Sequence, residues 1–185
     1  MTNVWIGLFR GINVGGNNKL PMKELTKAML ADGFTDVKTY IASGNVVFKS
    51  DASDFATPEE DLGYMIEMFV EQKFGFRPRV MVLSLEYLEK ILAANPFKDH
   101  EHKGKAQHIF LPFSSTVRAD LSLLESLKAP GEAFHLGDHA FYLYAPEGIG
   151  RSKLAEKVDR ALKTPTTARN LNTVETLRDM AAALS

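Results

Sequence analysis

The order of apolar segments is the feature that most constrains how this chain can fold. Short β-branched and apolar runs, typical of strands, alternate with stretches whose apolar residues recur at helical spacing. Over residues 1–97 the order is strand, helix, strand, strand, helix, strand, with one further helix, and residues 106–185 repeat it. We therefore predict an α+β fold of two tandem, duplicated ferredoxin-like (βαββαβ) units, with antiparallel sheets and helices packed on them. The polar stretch 98–105 is predicted to be a linker.

Local signals predict several helix boundaries. Pro21 is expected as the first residue of the first helix, because proline has the backbone angle of a helical first turn. A helix in the second half is predicted to begin at Ser115 or Thr116, and Thr173 is expected to cap the last helix. Residues 166–171 are predicted to form the last strand, with the side chains of residues 169 and 170 on opposite faces.

Charge and composition exclude several classes of protein. The chain has 22 basic and 23 acidic residues, and this near-neutral balance gives no long-range field for attracting nucleic acid. It has no cysteine, which excludes disulfides and thiolate nucleophiles and fits a reducing cytosol. No apolar run reaches the roughly 18–20 residues that span a bilayer. The first residues also lack the basic region of a signal peptide. We expect a cytoplasmic protein that does not enter a membrane.

Four segments rich in glycine, asparagine or basic residues are the candidate binding elements. The first, residues 10–19, lies between an apolar strand and a helix start, where flexible glycines and backbone N–H groups favour an anion. The others are residues 43–45 in a predicted hairpin, 148–153 before a helix, and 166–173 in the last strand and the turn after it.

We predict that these segments meet in a cleft formed by both halves and bind a phosphorylated or carboxylated small molecule. The predicted ligand-binding residues are Arg10, Asn13, Gly15, Gly16, Lys19, Ser43, Asn45, Arg151, Lys153, Arg169, Asn170 and Asn172. No cofactor is expected, and the sequence indicates neither a reaction nor an oligomeric state. Two other interpretations stay open. The protein is an RNA- or protein-interaction module without catalysis, or the loops only join the halves through hydrogen bonds.

Nucleotide-binding and RNA-binding motifs do not fit the chain. The first loop matches neither the phosphate loop of nucleoside triphosphatases nor the glycine pattern of dinucleotide folds. Residues 42–48 share a glycine, a valine and the last aromatic with the third strand of an RNA-recognition motif, but they lack its two earlier stacking aromatics. Nucleic acid is therefore a disfavoured partner.

A metal site is not predicted either. Four residues with ligand chemistry lie together in the charged linker, where no rigid element would hold them in place. They are Asp99, His100, Glu101 and His102. His108 lies in a predicted strand and is expected to be structural.

Four motifs occur in a fixed order along the chain. They are Arg10-Gly11-Ile12-Asn13-Val14-Gly15-Gly16, Ser43-Gly44-Asn45-Val46, Gly150-Arg151-Ser152-Lys153-Leu154 and Thr167-Ala168-Arg169-Asn170-Leu171-Asn172-Thr173-Val174. With them the chain resembles, over essentially its whole length, the domain-of-unknown-function 1697 family of bacterial proteins. The resemblance implies a tandem ferredoxin-like α+β protein with no established activity.

The chain departs from this family's usual pattern at one position. The family typically carries an Arg-Asn-Trp-Asn-Thr run, and Leu171 stands where the tryptophan is usual. If that tryptophan stacks on a ligand, stacking is lost in this chain. If it packs into the core, leucine replaces it tolerably.

Overall fold

A computed structural model describes residues 2–100 and 104–185. The strands are β1 (Thr2–Arg10), β2 (Thr35–Tyr40), β3 (Asn45–Asp51), β4 (Arg79–Ser84), β5 (Gln107–Pro112), β6 (Ala133–Leu136), β7 (Phe141–Tyr144) and β8 (Thr166–Asn170). The α-helices are α1 (Met22–Ala31), α2 (Pro58–Phe74), α3 (Leu85–Ala93), α4 (Leu121–Leu127), α5 (Lys153–Leu162) and α6 (Leu171–Ala182). A single turn of 3-10 helix, Ile149–Arg151, precedes α5.

The chain divides into two compact units, each with its own sheet. One unit is Met1–Glu89 with Thr176–Ser185, and the other is Lys90–Glu175. The first contains a four-stranded sheet of order β2-β3-β1-β4, and the second a four-stranded sheet of order β6-β7-β5-β8. All the strand pairs are antiparallel. The predicted α+β class, with antiparallel sheets and helices, is confirmed.

In the first unit, α1 and α2 cover one face of the sheet. Their buried residues recur at helical spacing and pack with Trp5 and Phe9 of β1 and with Phe48 of β3. Since side chains alternate along a strand, the face of β1 that carries Leu8 and Arg10 points away from these helices. Phe48 is the aromatic that residues 42–48 share with an RNA-recognition motif. It is fully buried on the helix side of the sheet, so it is not presented on the open face.

In the second unit, α4 and α5 cover the corresponding face. Phe110 of β5 and Ala168 of β8 are paired across the sheet and belong to this core. Alternation therefore places His108 and Asn170 on the helix-covered face and Arg169 on the opposite face. The predicted placement of residues 169 and 170 on opposite faces is confirmed.

Two predicted helix starts differ from the structure. Pro21 is the N-cap of α1 and not its first residue, a shift of one position. The predicted start at Ser115 or Thr116 is wrong, because α4 begins after Asp120, whose carboxylate accepts a hydrogen bond from Leu123 N at 3.0 Å. Just before it, the Ser114 hydroxyl bonds the Thr116 backbone, and such local bonds compete with helix formation.

The junction of β8 and α6 also differs from the prediction. The strand ends at Asn170, so Leu171 is already helical and the predicted cap by Thr173 is wrong. Asn170 Oδ1 accepts a hydrogen bond from Thr173 N at 2.9 Å and thereby takes the capping role. In the described part of the chain, no helix has both the length and the apolar character needed to cross a bilayer.

Two glycines with nearly identical backbone angles test how tightly the first unit is packed. Gly44 and Gly75 have φ of +80° and +79°. A Cβ on Gly44 would lie 2.6 Å from Ile12 and 2.7 Å from Phe9, whereas a Cβ on Gly75 would meet no atom within 4 Å. We expect Gly75→Ala to cost about 1–2 kcal/mol of unfolding free energy from left-handed strain alone. Gly44→Ala should cost about 1–3 kcal/mol more, from overpacking.

Urea denaturation of both variants measures this difference directly. Gly75→Ala is the matched control, because it imposes the same backbone strain without the steric clash. Equal losses of stability in the two variants would show that the turn before β3 is not packed against residues 9 and 12 as described.

Candidate functional site

Two of the predicted segments meet at one end of the strands of the first sheet. At this end β1 stops and β4 begins, with Arg10 directly opposite Arg79. Asn45 at the start of β3 pairs with Leu8. Residues 11–20 and 41–44 extend beyond this end. We call Arg10, Arg79 and these two segments the arginine edge. The predicted first and second clusters thus lie side by side.

The amide of Asn13 holds the first loop in shape. Its Nδ2 donates to Leu20 O at 2.9 Å and to Ala42 O at 2.8 Å, and its Oδ1 accepts from Leu20 N at 2.8 Å. Asn13 therefore closes the loop on itself and ties it to the neighbouring turn. These three bonds satisfy most of the capacity of an amide side chain, so Asn13 positions the loop whatever the loop binds.

The tip of this loop is a tight turn that projects into solvent. Asn17 N donates to Val14 O at 3.2 Å, and Gly15 and Gly16 between them have φ of +60° and +80°. Positive φ at both central residues is the geometry of a type I′ turn, which glycine adopts without steric cost. Asn18 Nδ2 braces the base of the turn by donating to Gly11 O at 3.0 Å. The tip is therefore exposed and preformed.

Residues 43–45 are fixed from inside the sheet. Asn45 is fully buried, and its Nδ2 donates to Tyr40 O at 3.0 Å and to Ser43 Oγ at 3.1 Å. Phe9 N in β1 donates to Gly44 O at 2.9 Å. Asn45 and Ser43 thus shape the turn between β2 and β3, and the side-chain amide of Asn45 is not accessible to solvent.

The cationic side chains of this edge are more accessible. Lys19 and Arg79 are exposed and Arg10 is half-buried. The sequence prediction missed Arg79, because nothing in its own surroundings marks it. Only the pairing of β1 with β4 brings it beside Arg10, so a sequence signal would have required the strand register.

The third and fourth segments lie at one end of the strands of the second sheet. There β5 begins while β7 and β8 end, with Gln107 opposite Tyr144 and His108 opposite Asn170. Residues 145–152 lead from this edge into α5, and α6 begins directly after Asn170. We call His108, Asn170 and residues 145–152 the histidine edge.

The residues at the start of α5 differ in exposure. Arg151 and Lys153 are exposed, whereas Ser152 between them is buried and accepts a hydrogen bond from Ala155 N at 3.0 Å. Ser152 is therefore the helix cap. The two exposed cations flank the positive end of α5.

Arg169 and Asn172 are engaged within their own unit. Arg169 is 9% exposed, and its guanidinium donates to Thr167 Oγ1 at 3.1 Å and to Ala168 O at 2.7 Å. Burial lowers the pKa of Arg169 to about 10, which still leaves it protonated at neutral pH. The Asn172 amide occupies the space where a Cβ of Gly104 would be, so it packs over that backbone.

His108 is a further unusual group at the histidine edge. It is 8% exposed, and within the described residues its Nδ1 is buried without a hydrogen-bond partner. Burial lowers the pKa of His108, and hydrogen bonding to the backbone of Ala106 opposes that shift in part. The sequence predicted a structural histidine. An unsatisfied buried nitrogen depends on side-chain packing, which sequence patterns do not reveal.

The two edges are not equivalent within their units. The arginine edge lies where the first strand of its unit ends, and the histidine edge lies where the first strand of its unit begins. The predicted convergence of all four segments in one cleft stays a prediction. Of the linker residues weighed as metal ligands, Glu101 and His102 lie outside the described residues. The His100 ring packs on Tyr144, with ring centroids 4.9 Å apart.

A family model described as "Protein of unknown function (DUF1697)" matches residues 1–142. The chain belongs to the DUF1697 family. A solved structure, that of the conserved bacterial protein SP0830 from Streptococcus pneumoniae, is similar at 25% identity and a TM-score of 0.72. The alignment covers 98% of this chain and 99% of that one. No curated protein matches the chain significantly.

The burial of Leu171 bears on the two interpretations of the tryptophan that is usual at this position, stacking on a ligand or packing into the core. Leu171 is 4% exposed, as the first residue of α6. A side chain at this position faces the protein interior, which fits packing better than stacking on a ligand from solvent.

The unsatisfied histidine predicts a specific loss of stability in acid. In the unfolded chain a histidine binds a proton near pH 6.5, whereas burial keeps His108 neutral to lower pH. Between these two values the unfolded chain binds more protons, so folded stability falls as pH falls. We expect His108→Leu to reduce the slope of unfolding free energy against pH below about pH 6.5, by at most about 1.4 kcal/mol per pH unit.

Urea denaturation at several pH values measures this slope. His139→Asn is the control, since it removes an exposed imidazole from the same unit. Parallel stability curves for the wild type and His108→Leu would show that His108 does not resist protonation in the folded state.

Proposed function

We propose that the protein binds a small phosphorylated or carboxylated molecule at the arginine edge. The observation that carries this proposal is the concentration of backbone strain there. In the described part of the chain, non-glycine residues with positive φ are Asn13, Asn18, Asp36, Ile41 and Lys163. Three of them, Asn13, Asn18 and Ile41, lie in the two loops of this edge.

The strain at Ile41 is the most costly of the three. A β-branched side chain in the left-handed region is a genuine outlier, and such positions cost about 1–3 kcal/mol each. Ile41 has φ of +49°, and it is also 52% exposed, so core packing does not explain its conformation. Strain of this kind is found at binding sites, where it preorganises a loop for a ligand.

The chemistry of the edge suits an anion. Arg10 and Lys19 stand at the two ends of the loop, and Gly15 and Gly16 expose backbone at its tip. Guanidinium and ammonium groups form charge-assisted hydrogen bonds to carboxylate and phosphate, and backbone amides in turns of this kind add further donors. Since the loop is held by its own hydrogen bonds, binding requires little ordering of the chain.

The second unit has exposed cations of its own. Arg151 and Lys153 flank the start of α5, which favours negative charge there independently of the arginine edge. Arg169, Asn170 and Asn172 have structural partners within this unit, and we assign them structural roles.

We also propose that the two halves, residues 1–97 and 106–185, are duplicated ferredoxin-like units. The strand orders β2-β3-β1-β4 and β6-β7-β5-β8 support this, since they are the same order in two sets of four strands. Each set is also followed by a helix, α3 or α6.

An interaction module is the second candidate, and a specific observation favours it. Val14 and Ile41 are 70% and 52% exposed, and they lie on the two loops joined by the bond from Asn13 to Ala42. Exposed aliphatic side chains suit a protein partner better than RNA, whose bases stack on aromatic rings or arginine.

Nuclear magnetic resonance titration of the whole chain with inorganic phosphate and with acetate tests the anion proposal. We expect amide shifts at Gly11, Gly15 and Gly16. Arg10→Gln should weaken binding about tenfold or more, because a charge-assisted bond is lost. Its melting temperature should stay within about 2 °C of the wild type, since Arg10 is half-buried and lies outside the hydrophobic core.

Arg118→Gln is the matched control, because it removes an exposed arginine from the second unit. Absence of shifts with every anion, or equal weakening by both variants, would reject a site at this edge. Binding of a mixed RNA pool that weakens steeply with salt would favour the interaction module instead.

A further inference from the structure

Arg79 lies directly opposite Arg10, although 69 positions separate them in the sequence. The preceding pair along the two strands, Phe9 and Val80, belongs to the core beneath the helices. Alternation therefore turns both arginine side chains to the other face of the sheet, at its rim. Two guanidinium groups thus project from adjacent strands at the same level.

This arrangement is unfavourable unless negative charge is nearby. Residues directly opposite in an antiparallel pair have Cβ atoms about 4.5–5.5 Å apart, and like charges there destabilise the pair. Both arginines have partners within the protein. A guanidinium carries five N–H donors, however, and a single protein partner need not engage all of them.

The neighbouring Arg77 has a different environment at the same end of the sheet. Its Nε lies 3.3 Å from a Glu67 carboxylate oxygen, and its guanidinium carbon lies 5.0 Å from the centre of the Tyr64 ring. Arg77 is thus held on α2. Arg77 precedes β4, so strand alternation does not apply to it. Arg79 begins β4, and alternation directs its side chain to the face opposite that of Val80, beside Arg10.

We propose that Arg10 and Arg79 together bind the terminal phosphate of a phosphomonoester, an inference that rests on the anion-binding function proposed above. A phosphate monoester carries a charge of about −1.5 to −2 at neutral pH and three acceptor oxygens. Two forked cations match that charge and that number of acceptors. A monocarboxylate offers one charge and two oxygens, which a single guanidinium satisfies.

The pair therefore determines specificity, and Arg79 is the residue that distinguishes the two ligand classes. Arg10 alone, with the loop that follows it, suffices for an anion of either class. Arg79 adds the second fork, which only a dianion with a third oxygen uses fully.

Three probes separate these possibilities by calorimetry on the whole chain: inorganic phosphate, phenyl phosphate and acetate. We expect both phosphates to bind at least about tenfold more tightly than acetate, because of the added charge-assisted bonds. Arg79→Gln should weaken both phosphates by about tenfold or more and leave acetate within about twofold. If inorganic phosphate alone responds, the site takes the free ion and not an ester.

Arg79→Lys separates charge from fork geometry, because it keeps the charge and loses the paired donors. It should weaken phosphate binding less than Arg79→Gln does, and it also serves if Arg79→Gln fails to fold. Arg118→Gln, the control with the same loss of charge in the second unit, should bind every probe as the wild type does.

The outcomes distinguish this inference from the function on which it rests. If acetate binds as tightly as phosphate, or if Arg79→Gln changes neither, the dianion site is wrong while anion binding stands. A response to inorganic phosphate alone overturns the phosphomonoester as ligand. If no probe binds, the proposed function itself is wrong and this inference is rejected with it.

Discussion

The first unit depends on the register of one strand. β1 lies between β3 and β4, so its position is fixed by backbone hydrogen bonds on both sides. A slip of one residue would exchange the two faces of a strand, moving Trp5 and Phe9 out of the core. The same register sets Arg10 opposite Arg79 and brings Phe9 N to Gly44 O. The burial of the core therefore fixes the chemistry of the sheet's edge.

Within that frame, glycines allow the tight turns, and asparagine side chains hold the loops in shape. Asn13 joins residues 11–20 to the neighbouring turn, and the buried Asn45 organises the turn from inside. An amide offers two donors and two acceptor positions, so it replaces backbone pairing where the chain leaves the sheet. The three hydrogen bonds of Asn13 offset the cost of its own left-handed conformation. The loop is consequently rigid without being buried, which is a useful property in a surface that binds a ligand.

The sequence predicted the elements well wherever periodicity and strong end signals agreed. The alternation in β8 correctly placed Arg169 and Asn170 on opposite faces, because successive side chains of a strand point to opposite faces of the sheet. Predictions failed where several residues that can cap a helix lie close together in the sequence. Asn170 displaced Thr173 as the cap of α6, and Asp120 displaced the earlier Ser115 and Thr116 as the start of α4. All of these residue types cap helices, so composition could not decide between them.

The candidate site was less predictable than the fold, for a related reason. Arg10, Arg169 and Arg79 are chemically alike, and the first two stand in motifs of similar composition. Packing separates them: Arg169 is enclosed among the hydroxyl and carbonyl groups of its own strand, while Arg10 lies at a rim beside a second arginine. Arg169 bonds groups close to it in the sequence, whereas Arg10 is brought beside Arg79 by the pairing of β1 with β4. That neighbour is set by long-range pairing, and a motif read along one chain segment does not contain it. The register of the sheet therefore determines which charged side chains lie together.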